Sequence, residues 1–277
     1  MALGATPILV DIDETGLIDP KEIEKAITEK TKAMVVVHLE GKVCDMDSIQ
    51  EIADEYHLKI VEDAAQAIGA KYIWTYTGNM GDISCFSFYP AKIFGTLGNA
   101  GMITTNDDEL AYKVSMMRCN YRFEKDSEKV GYGFNYEPDN AWAAVLNVRK
   151  KYLPEYLARR KEIAEKYLRN LRELEYRGLI KLPYEQEGRV WQDFVIRIPN
   201  PKDKEELLAH FDKHEIGYLG HDAPYYPDYP KLNLKFDLPK TKEYLRQQVR
   251  IPLHPFLTDE EVQYVISTLK SFFDDSR

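Results

Sequence analysis

Short apolar runs rich in β-branched residues alternate with helical segments through the first hundred residues, and this alternation limits the fold more than any other feature. The runs are Pro7-Ile8-Leu9-Val10, Ala33-Met34-Val35-Val36-Val37, Lys59-Ile60-Val61 and Ile83-Ser84-Cys85-Phe86-Ser87-Phe88, then Gly101-Met102-Ile103-Thr104-Thr105. Between the first two, Asp19 is placed to cap a helix that Pro20 opens and that runs to Ile27. A second helix is predicted over Asp45–Ala53, again opened by acidic caps. Runs this continuous have no polar face to turn to water, so they predict an α/β sheet buried on both faces.

The second half has a different texture. A helix is predicted from Asp107 to Met117, followed by a polar, glycine-containing stretch to about Asp139. Trp142 to Arg172 is a long helical pattern that Pro154 should kink or break. Residues 190–198, 202–214 and 258–273 then suggest a small α+β domain, with Pro224, Pro227, Pro230 and Pro239 marking loops inside it. The expected division is 1–140 and 141–277.

Composition excludes several classes. With 44% hydrophobic and 30% charged residues the chain is a folding, globular sequence rather than a disordered one. A formal net charge of −9 argues against a bulk electrostatic grip on nucleic acid. No apolar run approaches the roughly 20 residues that span a bilayer. Met1 to Pro7 lacks a basic segment followed by an apolar one, so no secretory signal is expected and the cytoplasm is the expected location. Cys44, Cys85 and Cys119 are odd in number and widely spaced, which fits packed, reduced thiols rather than a disulfide framework or metal site. His38, His221 and His254 read as packing or loop histidines.

Two segments carry chemistry. In Val61-Glu62-Asp63-Ala64-Ala65-Gln66-Ala67, Asp63 ends a buried strand, where α/β sheets place ligands. An anion there suits a cofactor whose ring nitrogen must stay protonated, although Asp63 alone reads equally as a helix N-cap. In Phe86-Ser87-Phe88-Tyr89-Pro90-Ala91-Lys92, followed by Gly95, Gly98 and Gly101, a lysine sits in a glycine-flanked loop just past a buried strand. Partial desolvation favours the neutral amine, the form that attacks an aldehyde. Ser87 has the chemistry to donate to a phosphate. A loop lysine taken alone is more ordinarily a solvated surface residue.

Together these segments resemble the DegT/StrS sugar aminotransferases, pyridoxal 5'-phosphate (PLP) enzymes of the aspartate aminotransferase fold (fold type I). The resemblance runs nearly end to end. It begins with Gly4-Ala5-Thr6-Pro7 and continues through Val37-His38-Leu39-Glu40-Gly41 and the two boxes just described. Gly133-Phe134-Asn135, Ile251-Pro252-Leu253-His254-Pro255 and Thr258-Asp259-Glu260-Glu261 extend it to the C-terminal part. It implies a PLP-binding large domain in 1–140, and a long connecting helix with a small C-terminal domain in 141–277. It implies that Lys92 forms the Schiff base and moves the proton, Asp63 pairs with the pyridine nitrogen, Gln66 meets the ring hydroxyl and Ser87 binds the phosphate. Asn135 is implied to reach the phosphate of a neighbouring subunit's cofactor. The implied reaction moves an amino group from glutamate or glutamine to a small-molecule, nucleotide-linked keto-sugar.

Departures from the family pattern set further expectations. Glu40 stands where an aromatic is usual, Lys42 where a glutamine is usual and Glu137 where an arginine is common. The family pattern also includes, ahead of Gly4, roughly a quarter of its length holding a Gly-Thr turn and a helix N-terminus whose N–H groups cradle the phosphate. The large domain is therefore expected to be N-terminally incomplete, with apolar surface left open. The chain is then expected to be one part of a split enzyme, a homo- or hetero-oligomer in which a second chain supplies that segment. The alternative is a catalytically impaired structural or regulatory partner of an active paralogue.

Overall fold

The computed structural model describes residues 4–125, 131–220, 228 and 236–275. In chain order the first elements are α1 (Pro20–Ala26), β1 (Ala33–Val37), α2 (Met46–Tyr56), β2 (Lys59–Asp63), β3 (Lys71–Tyr72) and β4 (Thr75–Tyr76). Next come β5 (Ile83–Ser87), β6 (Gly101–Thr104), α3 (Asp108–Arg118), α4 (Asn140–Arg149) and α5 (Leu153–Tyr176). The last are β7 (Phe194–Arg197), α6 (Pro201–Lys213), α7 (Pro239–Gln247), β8 (Gln248–Ile251) and α8 (Asp259–Asp275). Compactness divides the chain into one unit of residues 31–155 and 187–190, and another of residues 1–30, 156–186 and 191–277.

The first unit is organised on a four-stranded sheet in the order β1-β2-β5-β6. β1, β2 and β5 are parallel, and β6 returns antiparallel along β5. The parallel β1–α2–β2 step is the crossover that the alternating sequence predicts. Asp45 caps α2, accepting from the Ser48 amide at 3.3 Å and its hydroxyl at 2.7 Å. The helix buries the stripe Met46, Ile49, Ile52 and Ala53.

Because side chains alternate along a strand, the register assigns each residue to a face. Met34, Val36, Ile60, Glu62 and Ser84 share one face and are all buried. The opposite face carries Val35, Val37, Asp63, Cys85, Ser87 and Ile103. It is open: Val35 is 60% exposed and Ile103 is 49%. The expected burial on both faces is therefore corrected to burial on one, and the open face is the one that holds the two candidate chemical groups of the strand ends.

The second unit has its core around Ile163, Tyr167, Leu171 and Leu174 of α5, spaced three or four apart so that they line one side of the helix. The β7–β8 pair contributes Phe194, Ile196, Val249 and Ile251, and α6 and α8 add Leu207, Phe211, Val262, Ile266 and Leu269. Pro154 is the second residue of α5, just after a 3-10 turn at Lys150–Tyr152 that separates it from α4. The expected break thus falls immediately before the proline.

Two further sequence expectations change. Residues 7–10 form no strand ladder; the neighbouring Ile12 makes only an isolated bridge to Ile18. Pro239 opens α7 instead of marking a loop, while Pro224, Pro227, Pro230 and His221 lie outside the described residues. The α7 N-terminus takes its cap from far away in the chain. The Asp11 carboxylate accepts from the Thr241 amide at 2.8 Å, the Thr241 hydroxyl at 2.6 Å and the Lys240 amide at 3.0 Å. Burial pushes the Asp11 carboxyl up, but these bonds outweigh it and hold it below its ordinary value.

Candidate cofactor site

The carboxyl ends of β2 and β5 bring Asp63 and Ser87 to the same edge and the same face. Asp63 pairs in register with Cys85, and Ser87 lies two residues farther along β5. One strand spacing across and two residues along separates their backbone positions by about 8 Å. The Cys85 thiol between them feels both its burial and the Asp63 charge, which push it up and keep it protonated.

Each candidate group keeps hydrogen-bonding capacity that the described residues do not use. Asp63 Oδ1 accepts from the Ala65 amide at 3.1 Å, and Oδ2 has no partner among the described residues. Gln66 Oε1 accepts from the Glu40 amide at 2.7 Å, so its NH2 points the other way as a donor. Ser87 Oγ accepts from the Tyr89 amide at 3.3 Å, which leaves its O–H to donate. Lys92 Nζ has no hydrogen-bond or ion-pair partner among the described residues, and the side chain is only half-buried.

The loop that carries Lys92 is tied at several points. The Lys92 amide donates to Tyr89 O at 2.9 Å, Gly95 N to Lys92 O at 3.0 Å and Thr96 N to Phe88 O at 2.8 Å. Gly95 is required here, since a Cβ would lie 2.4 Å from Tyr89 O and 2.7 Å from Pro90 O. Arg149 of α4 donates to Gly95 O at 2.6 Å and Thr96 Oγ1 to Trp142 O at 3.1 Å, which anchor the loop from behind. Asn135 shares no hydrogen bond with the other four; it is exposed, and its backbone pairs with Cys119.

Sequence reasoning missed the groups that hold this edge in place. Glu62, fully buried, accepts from Gly78 N at 2.9 Å, Met80 N and Gly81 N at 2.7 Å, Ser84 Oγ at 2.7 Å and His38 Nε2 at 3.1 Å. His38 Nδ1 accepts from Cys44 N at 3.2 Å, so the ring proton sits on Nε2 and is donated to Glu62. Burial pushes the Glu62 carboxyl up, but the donors, His38 first, outweigh it and hold it at about 2. A glutamate at an inward position of a buried strand was the available signal, because a charge there demands partners.

The departures at 40 and 42 are one feature. Glu40 and Lys42 are buried together, with Nζ 3.0 Å from Oε2. Gly41 between them has φ +82, and a Cβ there would lie 2.1 Å from Val190 O. Glu137 is paired with Arg122. Among the described residues no cluster of ligating side chains could hold a metal ion, and no helix is long and apolar enough to cross a membrane.

An acceptor at Asp63 Oδ2, donors at Gln66 and Ser87 and an amine at Lys92 match the pyridinium N–H, ring oxygen, phosphate and aldehyde of PLP. Comparison with known proteins agrees with that chemistry. The family model of the DegT/DnrJ/EryC1/StrS aminotransferases matches residues 1–270. A dTDP-3-amino-3,6-dideoxy-alpha-D-galactopyranose transaminase of Aneurinibacillus thermoaerophilus is 39% identical, over 98% of this chain and 74% of its own length. A protein of Geobacillus stearothermophilus described as a pleiotropic regulatory protein is 36% identical, over 98% of this chain and 73% of its own. The structure of S. venezuelae DesV in complex with a ketimine intermediate superposes with a TM-score of 0.88 at 35% identity, covering 98% of this chain and 73% of that one. Other matching structures hold the cofactor in its PLP or amino (PMP) form. These matches do not support the expected second chain carrying a preceding segment. With the family model spanning residues 1–270 and relatives at this identity and coverage, the chain belongs to the DegT/DnrJ/EryC1/StrS aminotransferase family, whose enzymes depend on PLP.

Proposed function

We propose that this chain transfers an amino group from glutamate or glutamine to a keto-sugar, nucleotide-linked as in the dTDP-sugar relative. The observation that carries the proposal is the set of Asp63, Gln66 and Ser87, each partly engaged by the chain, and the Lys92 amine, unpaired among the described residues, on and just past the carboxyl ends of β2 and β5. When bound, PLP supplies an electron sink for the carbon that gains or loses the amino group. The protein supplies the rest. With the cofactor bound, Asp63 Oδ2 would accept from the ring N–H, Gln66 would donate to the ring oxygen, Ser87 would donate to the phosphate, and Lys92 would attach the cofactor and carry the proton between the substrate's amino-bearing carbon and the cofactor. Asn135, exposed on its loop, is read as reaching a neighbouring subunit's phosphate in an oligomer. Residues 1–140 are read as the cofactor-binding part, and 141–277 as a connecting helix with a small C-terminal domain. We place the enzyme in the cytoplasm, without nucleic-acid or membrane partners.

The test is chemical. Borohydride treatment of the PLP-loaded protein should fix the cofactor to the peptide containing Lys92, and labelling at another lysine would refute the assignment. The second reading, a catalytically impaired regulatory partner, is favoured by the Glu137–Arg122 pair at a position where arginine is common and by the Geobacillus relative, a pleiotropic regulatory protein. A labelled protein that glutamate and glutamine cannot convert to the amino form of the cofactor would support that reading instead.

A further inference from the structure

The turn that orients Gln66 is built around a buried pair of charges. Glu40 and Lys42 are each 1% exposed, and their charged ends are 3.0 Å apart. Glu40 has φ 60 and ψ 16, a left-handed conformation uncommon for any residue but glycine. Hydrogen bonds to backbone carbonyls hold it there. Lys42 N donates to Leu39 O at 3.1 Å, Arg189 Nη2 to Glu40 O at 3.2 Å and Val190 N to Gly41 O at 2.9 Å. The result is a Glu40 amide aimed at Gln66 Oε1, 2.7 Å away.

A glutamine amide can sit either way round, and only its oxygen can accept from an N–H. The Glu40 amide therefore decides that Gln66 presents its NH2, not its carbonyl, outward. An apolar pair of similar volume would hold the fold as well as a buried ion pair does. We propose that the Glu40–Lys42 pair is a positioning device for Gln66, locking the turn so that a hydrogen-bond donor faces the bound cofactor. The inference rests on the reading that Gln66 meets the ring hydroxyl of PLP. A donor at that oxygen favours its ionised form, so the pair acts, through Gln66, on the charge state of the bound ring.

A double-mutant cycle on the full chain tests this, with PLP titrated into the cofactor-free protein and the pH midpoint of the bound cofactor's absorption band as readouts. Lys42→Met should weaken PLP binding about tenfold, the worth of one hydrogen bond, and shift the absorption midpoint. In a Gln66→Ala background the same change should do neither, because the residue it acts through is gone. If Lys42→Met does not fold, the apolar pair Glu40→Leu/Lys42→Met takes its place in the cycle. A tenfold loss in both backgrounds, or in neither, would overturn the inference while leaving the role of Gln66 standing. Gln66→Ala binding PLP as tightly as the unchanged protein would instead refute the reading beneath it.

Discussion

Glu62→Gln is the sharpest probe of how the strand ends are held. The carboxylate is completely buried and receives five donors, three at Oε1 (Met80 N, Gly81 N, Ser84 Oγ) and two at Oε2 (Gly78 N, His38 Nε2). Glutamine offers only one accepting end. With its oxygen toward the three donors, its NH2 faces the Gly78 N–H and the His38 Nε2–H, donor against donor. His38 cannot relieve this by moving its proton to Nδ1, because Nδ1 already accepts from Cys44 N.

The magnitude follows from the carboxyl's fall from 4.5 to about 2 in the folded state. At roughly 1.4 kcal/mol per unit, the interactions of the charge contribute about 3 kcal/mol at neutral pH. A folded-state value below the unfolded one means that this stability is complete above about 4.5. It is lost as pH falls through the interval down to about 2. Urea unfolding of both proteins at several pH values, followed by tryptophan fluorescence, reads both effects. The variant should be about 3 kcal/mol less stable at pH 7, with the gap closing toward pH 2. A difference under about 0.5 kcal/mol at pH 7, or a gap independent of pH, would refute the account of Glu62 as a charged anchor.

Other outcomes are equally definite. Asp11→Ala removes the long-range cap of α7 and should cost about 1–2 kcal/mol in thermal or urea unfolding. Arg160→Leu should cost about 3 kcal/mol, because Arg160 Nη1 is buried and donates to Trp191 O, Gln192 O and Leu253 O at 3.0–3.1 Å, carbonyls that leucine would strand. Asp63→Asn can keep the bond to the Ala65 amide through its own oxygen, so unfolding should change little. The amino-transfer half-reaction in stopped flow should slow by about two orders of magnitude or more.

Much of this architecture is written locally. The β-branched runs at 33–37, 59–63, 83–87 and 101–104 became strands because their side chains suit a pleated, buried surface. Asp19-Pro20, Asp45 and Asp107 start helices where read, since a cap needs only its own next three residues. Asp63, Ser87 and Lys92 were legible as candidates because strand ends and the glycine-flanked loop can be counted along the chain, whereas Gln66 was a candidate only through the family resemblance. The run at residues 7–10 misled because an apolar tetrapeptide says nothing of whether a partner strand lies beside it. Helix α7 was hidden because its N-terminal cap, Asp11, is more than two hundred residues away.

Local periodicity and capping therefore determined where strands and helices form and which residues stand at strand ends. Only the tertiary structure decided which atoms of those residues remain open to a ligand. The Glu40 amide that turns Gln66 and the five donors that hold Glu62 behind Asp63 are set by contacts across the chain. The physical reason is that a hydrogen bond is short-ranged and directional, so its partner is chosen by proximity in space, which no spacing along the sequence records.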